Sequence, residues 1–175
     1  MKLTERINQS IRDVADFPKK GIVFKDITPI LKDAQLSKDI CDELATYFDS
    51  EVTHVAGIES RGFLFGFPAA MKKDISFILI RKKGKLPYKT ASLKYDLEYG
   101  SAEIEMHIDA VKQGDKVIIH DDLLATGGTA SAAAELVLQL GCNISAFTFV
   151  VNLDFLNGKK EIKEYTNNII SLIEY

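Results

Sequence analysis

Two carboxylates, Asp121 and Asp122, stand just ahead of the run Ala125-Thr126-Gly127-Gly128-Thr129. The glycines let the backbone turn tightly and bring its N–H groups against a bound group. Thr126 and Thr129 add hydroxyl donors, and the helix-like run Ala130 to Leu140 would set its positive end against a phosphate. Carboxylates repel a phosphate but accept hydrogen bonds from hydroxyls. A phosphate close to a vicinal diol is the outline of a ribose 5-phosphate. A bare Thr-Gly-Gly-Thr can also be a simple turn with a capped helix behind it. The apolar run Val117 to Ile119 before the acids and the helix after the loop favour the anion site. Neither Gly-x-x-x-x-Gly-Lys-Ser/Thr nor Gly-x-Gly-x-x-Gly occurs, which disfavours a Walker-type nucleotidase and a dinucleotide enzyme.

Two further segments carry charge suited to an anion. In Gly57-Ile58-Glu59-Ser60-Arg61-Gly62, Arg61 is set beside a glycine where a strand gives way to a helix. A guanidinium there can fork onto a phosphate or pyrophosphate, although alone it could be a surface Arg near Glu59. In Arg81-Lys82-Lys83-Gly84-Lys85-Leu86-Pro87, clustered cations read either as a solvated face or as a basic loop closing over a pyrophosphate.

The elements that must position these segments follow from periodicity. Leu3, Ile7, Ile11 and Val14 recur at helical spacing, and Asp16-Phe17-Pro18 ends that helix. Ser37 reads as the N-cap of a second helix carrying Ile40, Leu44 and Tyr47. Strands are expected at 54–58, 75–80, 117–119, 144–151 and 169–173, and helices at 63–73 and 130–140. Residues 90–99 and 102–108 alternate about Tyr99-Gly100-Ser101, which predicts a hairpin. Strands alternating with helices imply an α/β fold, with a mainly parallel central sheet flanked by helices. Such sheets bind ligands beyond the carboxyl ends of their strands, so the three charged segments should meet.

A chain of 175 residues fits one domain, 1–175, with a full core. A net charge of −3 argues against a nucleic-acid or membrane-surface binder. No apolar run reaches membrane-spanning length and the N-terminus lacks a signal-peptide core, so a cytoplasmic protein is expected. Cys41 and Cys142 lack metal or disulfide spacing and read as buried free thiols.

The run from Asp121 to Thr129 resembles the phosphoribosyl-pyrophosphate (PRPP) motif of type I phosphoribosyltransferases. His120 departs from it, since an apolar residue is usual before the acids. The segment 57–62 resembles the pyrophosphate loop of adenine phosphoribosyltransferases. Ile80 to Pro87, with Tyr95-Asp-Leu-Glu-Tyr-Gly100, is similar to that family's catalytic loop, although Tyr88-Lys89 departs from it. Asp16 to Pro29 looks like its adenine-binding hood, with Lys25 where many relatives have Arg. The resemblance implies a small N-terminal hood over 1–35 and a flexible loop and hairpin over 81–107. It assigns the ribose hydroxyls to Asp121 and Asp122, and the 5-phosphate to Ala125, Thr126, Gly127, Gly128 and Thr129. Pyrophosphate falls to Arg61, Arg81 and Lys85. Backbone groups of Val23 and Lys25 would read the 6-amino edge of adenine, with Glu98 handling the proton and Tyr99 walling the site. The implied reaction is adenine plus PRPP giving AMP and pyrophosphate, a step of purine salvage. Mg²⁺ would be held mainly through PRPP and water rather than by direct protein ligands. A homodimer is implied as well. Two alternatives remain at this level: a non-enzymatic regulator that keeps the PRPP loop, and a phosphoribosyltransferase for another base.

Overall fold

The alternating pattern resolves into one main sheet with helices on both faces, plus a small two-stranded ribbon. A computed structural model describes residues 1–17, 19–96 and 100–175. The chain opens with α1 (Leu3–Ser10), the strands β1 (Arg12–Ala15) and β2 (Val23–Asp26), and a 3-10 turn over Thr28–Lys32. Next come α2 (Ala34–Thr46), β3 (His54–Ile58), α3 (Gly62–Lys72) and β4 (Ser76–Lys82). A pair follows, β5 (Thr90–Asp96) and β6 (Ser101–His107), before β7 (Lys116–Leu124), α4 (Gly128–Gln139) and β8 (Asn143–Asn152). A second 3-10 turn (Asp154–Leu156), the short α5 (Gly158–Ile162) and β9 (Ile169–Glu174) end the order.

The main sheet runs β5-β6-β4-β3-β7-β8-β9. Its β4-β3-β7-β8-β9 part is parallel, whereas β6 joins β4 and β5 antiparallel. Alternation along the central strands feeds two cores. Ala56, Ile58, Val117 and Ile119 pack on the α4 side against Ala133 and Val137. Val55 and Ile118 pack on the other side against Ile40, Leu44, Phe65 and Ala69 of α2 and α3. Burial on both faces is why these strands read as near-continuous apolar runs.

Local differences from the sequence reading have physical causes. α1 stops at Ser10, and Val14 belongs to β1, because Ile11 is already extended and β1 pairs with β2. The N-cap of α2 is Asp33 rather than Ser37, its Oδ1 accepting from Leu36 N at 2.9 Å. β7 runs on to Leu124, so both acids lie in the strand rather than after it. Among the described residues of the 1–35 arm, only the β1–β2 ribbon forms a separate sheet. Ile7, Ile27 and Ile30 are buried in the core beneath α2.

Candidate functional site

The acid pair sits where β7 leaves the sheet, and its two members have different partners. Asp121 lines a cavity of about 90 Å³ together with Ala125, Thr126, Gly127, Gly128 and Thr129. Asp122, only 2% exposed, ion-pairs with Arg61, Nε to Oδ2 at 3.1 Å. Asp122 N also donates to Asp121 Oδ1 at 2.8 Å. Burial pushes the Asp121 carboxyl well above the usual carboxylate range, and the neighbouring Asp122 charge pushes it further. Burial raises Asp122 too, against the pull of the Arg61 guanidinium. A carboxylate held this way gains from hydroxyl donors that would replace lost solvation.

The loop after the acids has the geometry of an anion cradle. Gly127 takes φ +91°, a left-handed conformation, and serves as the N-cap of α4 without a side-chain cap. The first N–H groups of that helix are therefore free of side-chain acceptors at its N-cap, and its dipole adds positive potential. Close approach is enforced behind the loop, where a Cβ on Gly158 would lie 2.2 Å from the Ala125 carbonyl oxygen. Gly62 plays the same part for α3, since a Cβ there would lie 2.7 Å from the His120 carbonyl oxygen.

A second cavity of about 300 Å³ shares Asp121 and Thr129 with the first. Glu59, Arg81, Lys82 and Tyr95 also line it, over a floor that includes Ile58, Ile80 and Ile104. Glu59 draws the ends of β3 and β4 together. Its Oε1 accepts from Arg81 Nη2 at 3.0 Å and its Oε2 from Lys82 N at 3.0 Å. The Arg81 hydrogen bond holds the Glu59 carboxyl below its ordinary range. Lys85 is exposed and lines neither cavity, but its carbonyl accepts from Arg81 Nη1 at 3.2 Å. The loop around Lys85 is anchored by Glu105, which is 2% exposed. One Glu105 oxygen accepts from Lys85 N and Leu86 N, both at 2.9 Å, and the other from Thr90 Oγ1 at 3.1 Å. Burial alone would raise the Glu105 carboxyl, yet these donors and nearby Lys83 bring it below its usual value.

The ribbon of β1 and β2 meets the site through Arg61, whose guanidinium lies 5.7 Å from the Phe24 ring centre. Arg61 therefore stands between the ribbon and Asp122. Lys25 turns its side chain away, with Nζ 2.7 Å from Asp13 Oδ1 and 4.1 Å from the Tyr175 ring centre. Val23 is half exposed. Since β2 pairs only with β1 among the described strands, its other edge keeps unpaired backbone donors and acceptors.

The structure thus brings Asp121, Arg81 and the 125–129 loop into adjoining cavities, with Asp122 and Arg61 paired beside them. Glu98 and Tyr99 lie outside the described residues. Sequence reasoning missed Glu59 as the partner of Arg81, Glu105 as the anchor of the basic loop, and Tyr95 as a cavity wall. The signal for Glu105 was its central place in an alternating strand; nothing local marked the other two pairings. His120 is fully buried, with Nδ1 2.9 Å from Thr148 Oγ1. Its burial lowers the imidazole to about 4. Gly66 makes room for it, since a Cβ there would lie 2.9 Å from His120 Cδ2.

No helix among the described residues is long and apolar enough to cross a membrane. A family profile described as a phosphoribosyl transferase domain matches residues 27–174. An adenine phosphoribosyltransferase of Nitrosococcus oceani is 48% identical over 172 residues, covering 98% of this chain and 99% of that protein. The crystal structure of the adenine phosphoribosyltransferase of Thermoanaerobacter pseudethanolicus superposes with a TM-score of 0.93 at 47% identity, covering 98% of this chain and 99% of that one. That of Saccharomyces cerevisiae, complexed with adenine and an imino-altritol bisphosphate, gives 0.92 at 35% identity and 98% coverage of both chains.

Proposed function

From the premise that the chain belongs to the phosphoribosyltransferase family, we propose that it transfers the 5-phosphoribosyl group of PRPP to adenine, giving AMP and pyrophosphate. The observation that carries this reading is the sharing of Asp121 and Thr129 between the cavity at the 125–129 loop and the cavity that holds Arg81. One substrate bearing a phosphate, a diol and a pyrophosphate would span both. The full-length likeness to adenine phosphoribosyltransferases points to adenine as the base.

In this reading Ala125 to Thr129 hold the 5-phosphate, with α4 behind them. Asp121 accepts from the ribose hydroxyls, and Asp122 supports it while fixing Arg61. Arg81 and Lys85 meet the pyrophosphate, with the outer part of the Arg61 guanidinium. Adenine attacks the anomeric carbon as the bond to pyrophosphate breaks, through an oxocarbenium-like state. The cations stabilise the charge that grows on the departing oxygen. Glu98 takes the proton that the base loses, and Tyr99 covers the base. The free edge of β2 at Val23 and Lys25 reads the 6-amino group through the backbone, which suits a side chain of Lys25 turned elsewhere.

Among the described residues no group of three or more His, Cys, Asp or Glu could hold a metal. The oxygen donors present, with Asp121 lining both cavities, fit Mg²⁺ that arrives mainly on substrate oxygens and water. When bound, Mg²⁺ neutralises part of the pyrophosphate charge. A homodimer is part of the proposal. Leu64, Phe67 and Met71 on α3, 41%, 49% and 62% exposed, offer an apolar surface for it.

The test is to incubate the protein with PRPP and Mg²⁺ and, separately, adenine, hypoxanthine, guanine or orotate. AMP formation from adenine alone is expected. Turnover of another base with none of adenine would overturn the base assignment, and turnover of none would overturn the reaction.

A further inference from the structure

The end of β5 touches the cradle. Tyr95 Oη lies 3.2 Å from Thr129 Oγ1, and either oxygen can be the donor. Tyr95 also lines the larger cavity with Arg81, Asp121 and Thr129. The neighbouring Asp96 carbonyl oxygen is 4.0 Å from the place a Gly128 Cβ would take, so the end of β5 rests on the loop itself.

A hydroxyl pair with an undecided donor has two states. If Thr129 donates to Tyr95, its proton is unavailable to a phosphate. If Tyr95 donates to Thr129, the Thr129 proton is free to point into the cradle. A phosphate oxygen is acceptor-only at a charged site, so its arrival selects the second state. The chain then runs from Tyr95 O–H to Thr129 Oγ1, and from Thr129 O–H to phosphate. Each bond polarises the next, which strengthens the grip on the anion.

We propose that Tyr95 is a positioning residue for the 5-phosphate, acting through Thr129. The proposal rests on the phosphate reading of the 125–129 loop given above.

The test is a double-mutant cycle of Tyr95→Phe and Thr129→Ala, read by the separate affinities for ribose 5-phosphate and for pyrophosphate, and by the KM values for PRPP and adenine. Tyr95→Phe should weaken ribose 5-phosphate roughly 3- to 10-fold, in the range of one hydrogen bond, and raise the KM for PRPP similarly. Pyrophosphate affinity and the KM for adenine should stay unchanged, which a general loss of structure would not allow. In the Thr129→Ala background, Tyr95→Phe should have no further effect. If Thr129→Ala weakens ribose 5-phosphate but Tyr95→Phe does not, or if the two effects simply add, the role of Tyr95 is overturned and the cradle reading survives. If Thr129→Ala leaves ribose 5-phosphate affinity intact, the cradle reading fails and takes this proposal with it.

Discussion

Replacing Asp121 by Asn should stabilise the ligand-free protein while weakening its hold on PRPP. Asn keeps the Oδ1 acceptor that Asp122 N uses at 2.8 Å, and it matches Asp in volume, so no cavity forms. What disappears is a charge that burial and Asp122 both oppose. Relief of such a functional conflict typically yields about 0.5–2 kcal/mol. At roughly 2–4 °C per kcal/mol for a chain of this length, the ligand-free Tm should rise by roughly 1–8 °C at pH 7. The sign is set by the raised folded pKa. Below the ordinary value of 3.8 the carboxyl is protonated in both states, so the advantage of the variant is absent there. As pH rises, the unfolded chain ionises first and the wild type loses stability until the folded group ionises too. The advantage of Asp121→Asn should therefore grow with pH from about 3.8 upward. Addition of PRPP should reverse the order, since a lost charged hydrogen bond costs roughly 1.5–3 kcal/mol, about 10- to 150-fold in affinity. Thermal unfolding of both proteins from pH 3 to 8 with and without PRPP, in the presence of Mg²⁺, is the assay. A lower ligand-free Tm for the variant at pH 7, or a difference that does not vary with pH, would refute the reasoning.

Other expectations follow from single contacts. Folded His120, lowered to about 4, declines the proton that the unfolded chain takes up below about 6.5. Its contribution to stability is full above 6.5 and is lost as pH falls through about 4; His120→Val should flatten that part of an unfolding profile. Glu105→Ala removes the acceptor for Lys85 N, Leu86 N and Thr90 Oγ1. It should cost roughly 1–3 kcal/mol, expose the 83–90 loop to limited proteolysis, and raise the KM for PRPP more than that for adenine. Gly62→Ala meets the His120 carbonyl at 2.7 Å and should destabilise by roughly 1–3 kcal/mol. Gly84→Ala, with φ +84° but nothing within 4 Å, should show backbone strain alone and lose less in a denaturant titration.

Much of this protein was determined by local sequence. β3 was legible to its end residues because a strand buried on both faces must be apolar throughout. The turn from β7 into α4 was legible because Thr-Gly-Gly-Thr between a strand and a helix leaves few other backbone paths. The ends of elements were not legible where tertiary contacts compete with periodicity. Val14 has helical spacing from Ile11 and Ile7, yet pairing with Phe24 claims it for β1. Partnerships across distant segments were beyond the sequence altogether. Glu59 holds Arg81, Glu105 anchors the loop at Lys85, and Tyr95 meets Thr129 only because β4, β6 and β5 lie side by side at one end of the sheet. The same holds for the acid pair. The sequence placed two carboxylates together, but their different surroundings, Thr129 and the cavities for Asp121 and Arg61 for Asp122, arise from the packing of α3 and α4 around the end of β7. Residue types and spacing decide which chemistry is available. The packing of the chain decides which charge faces which, because electrostatic energy depends on distance and burial rather than on order along the backbone.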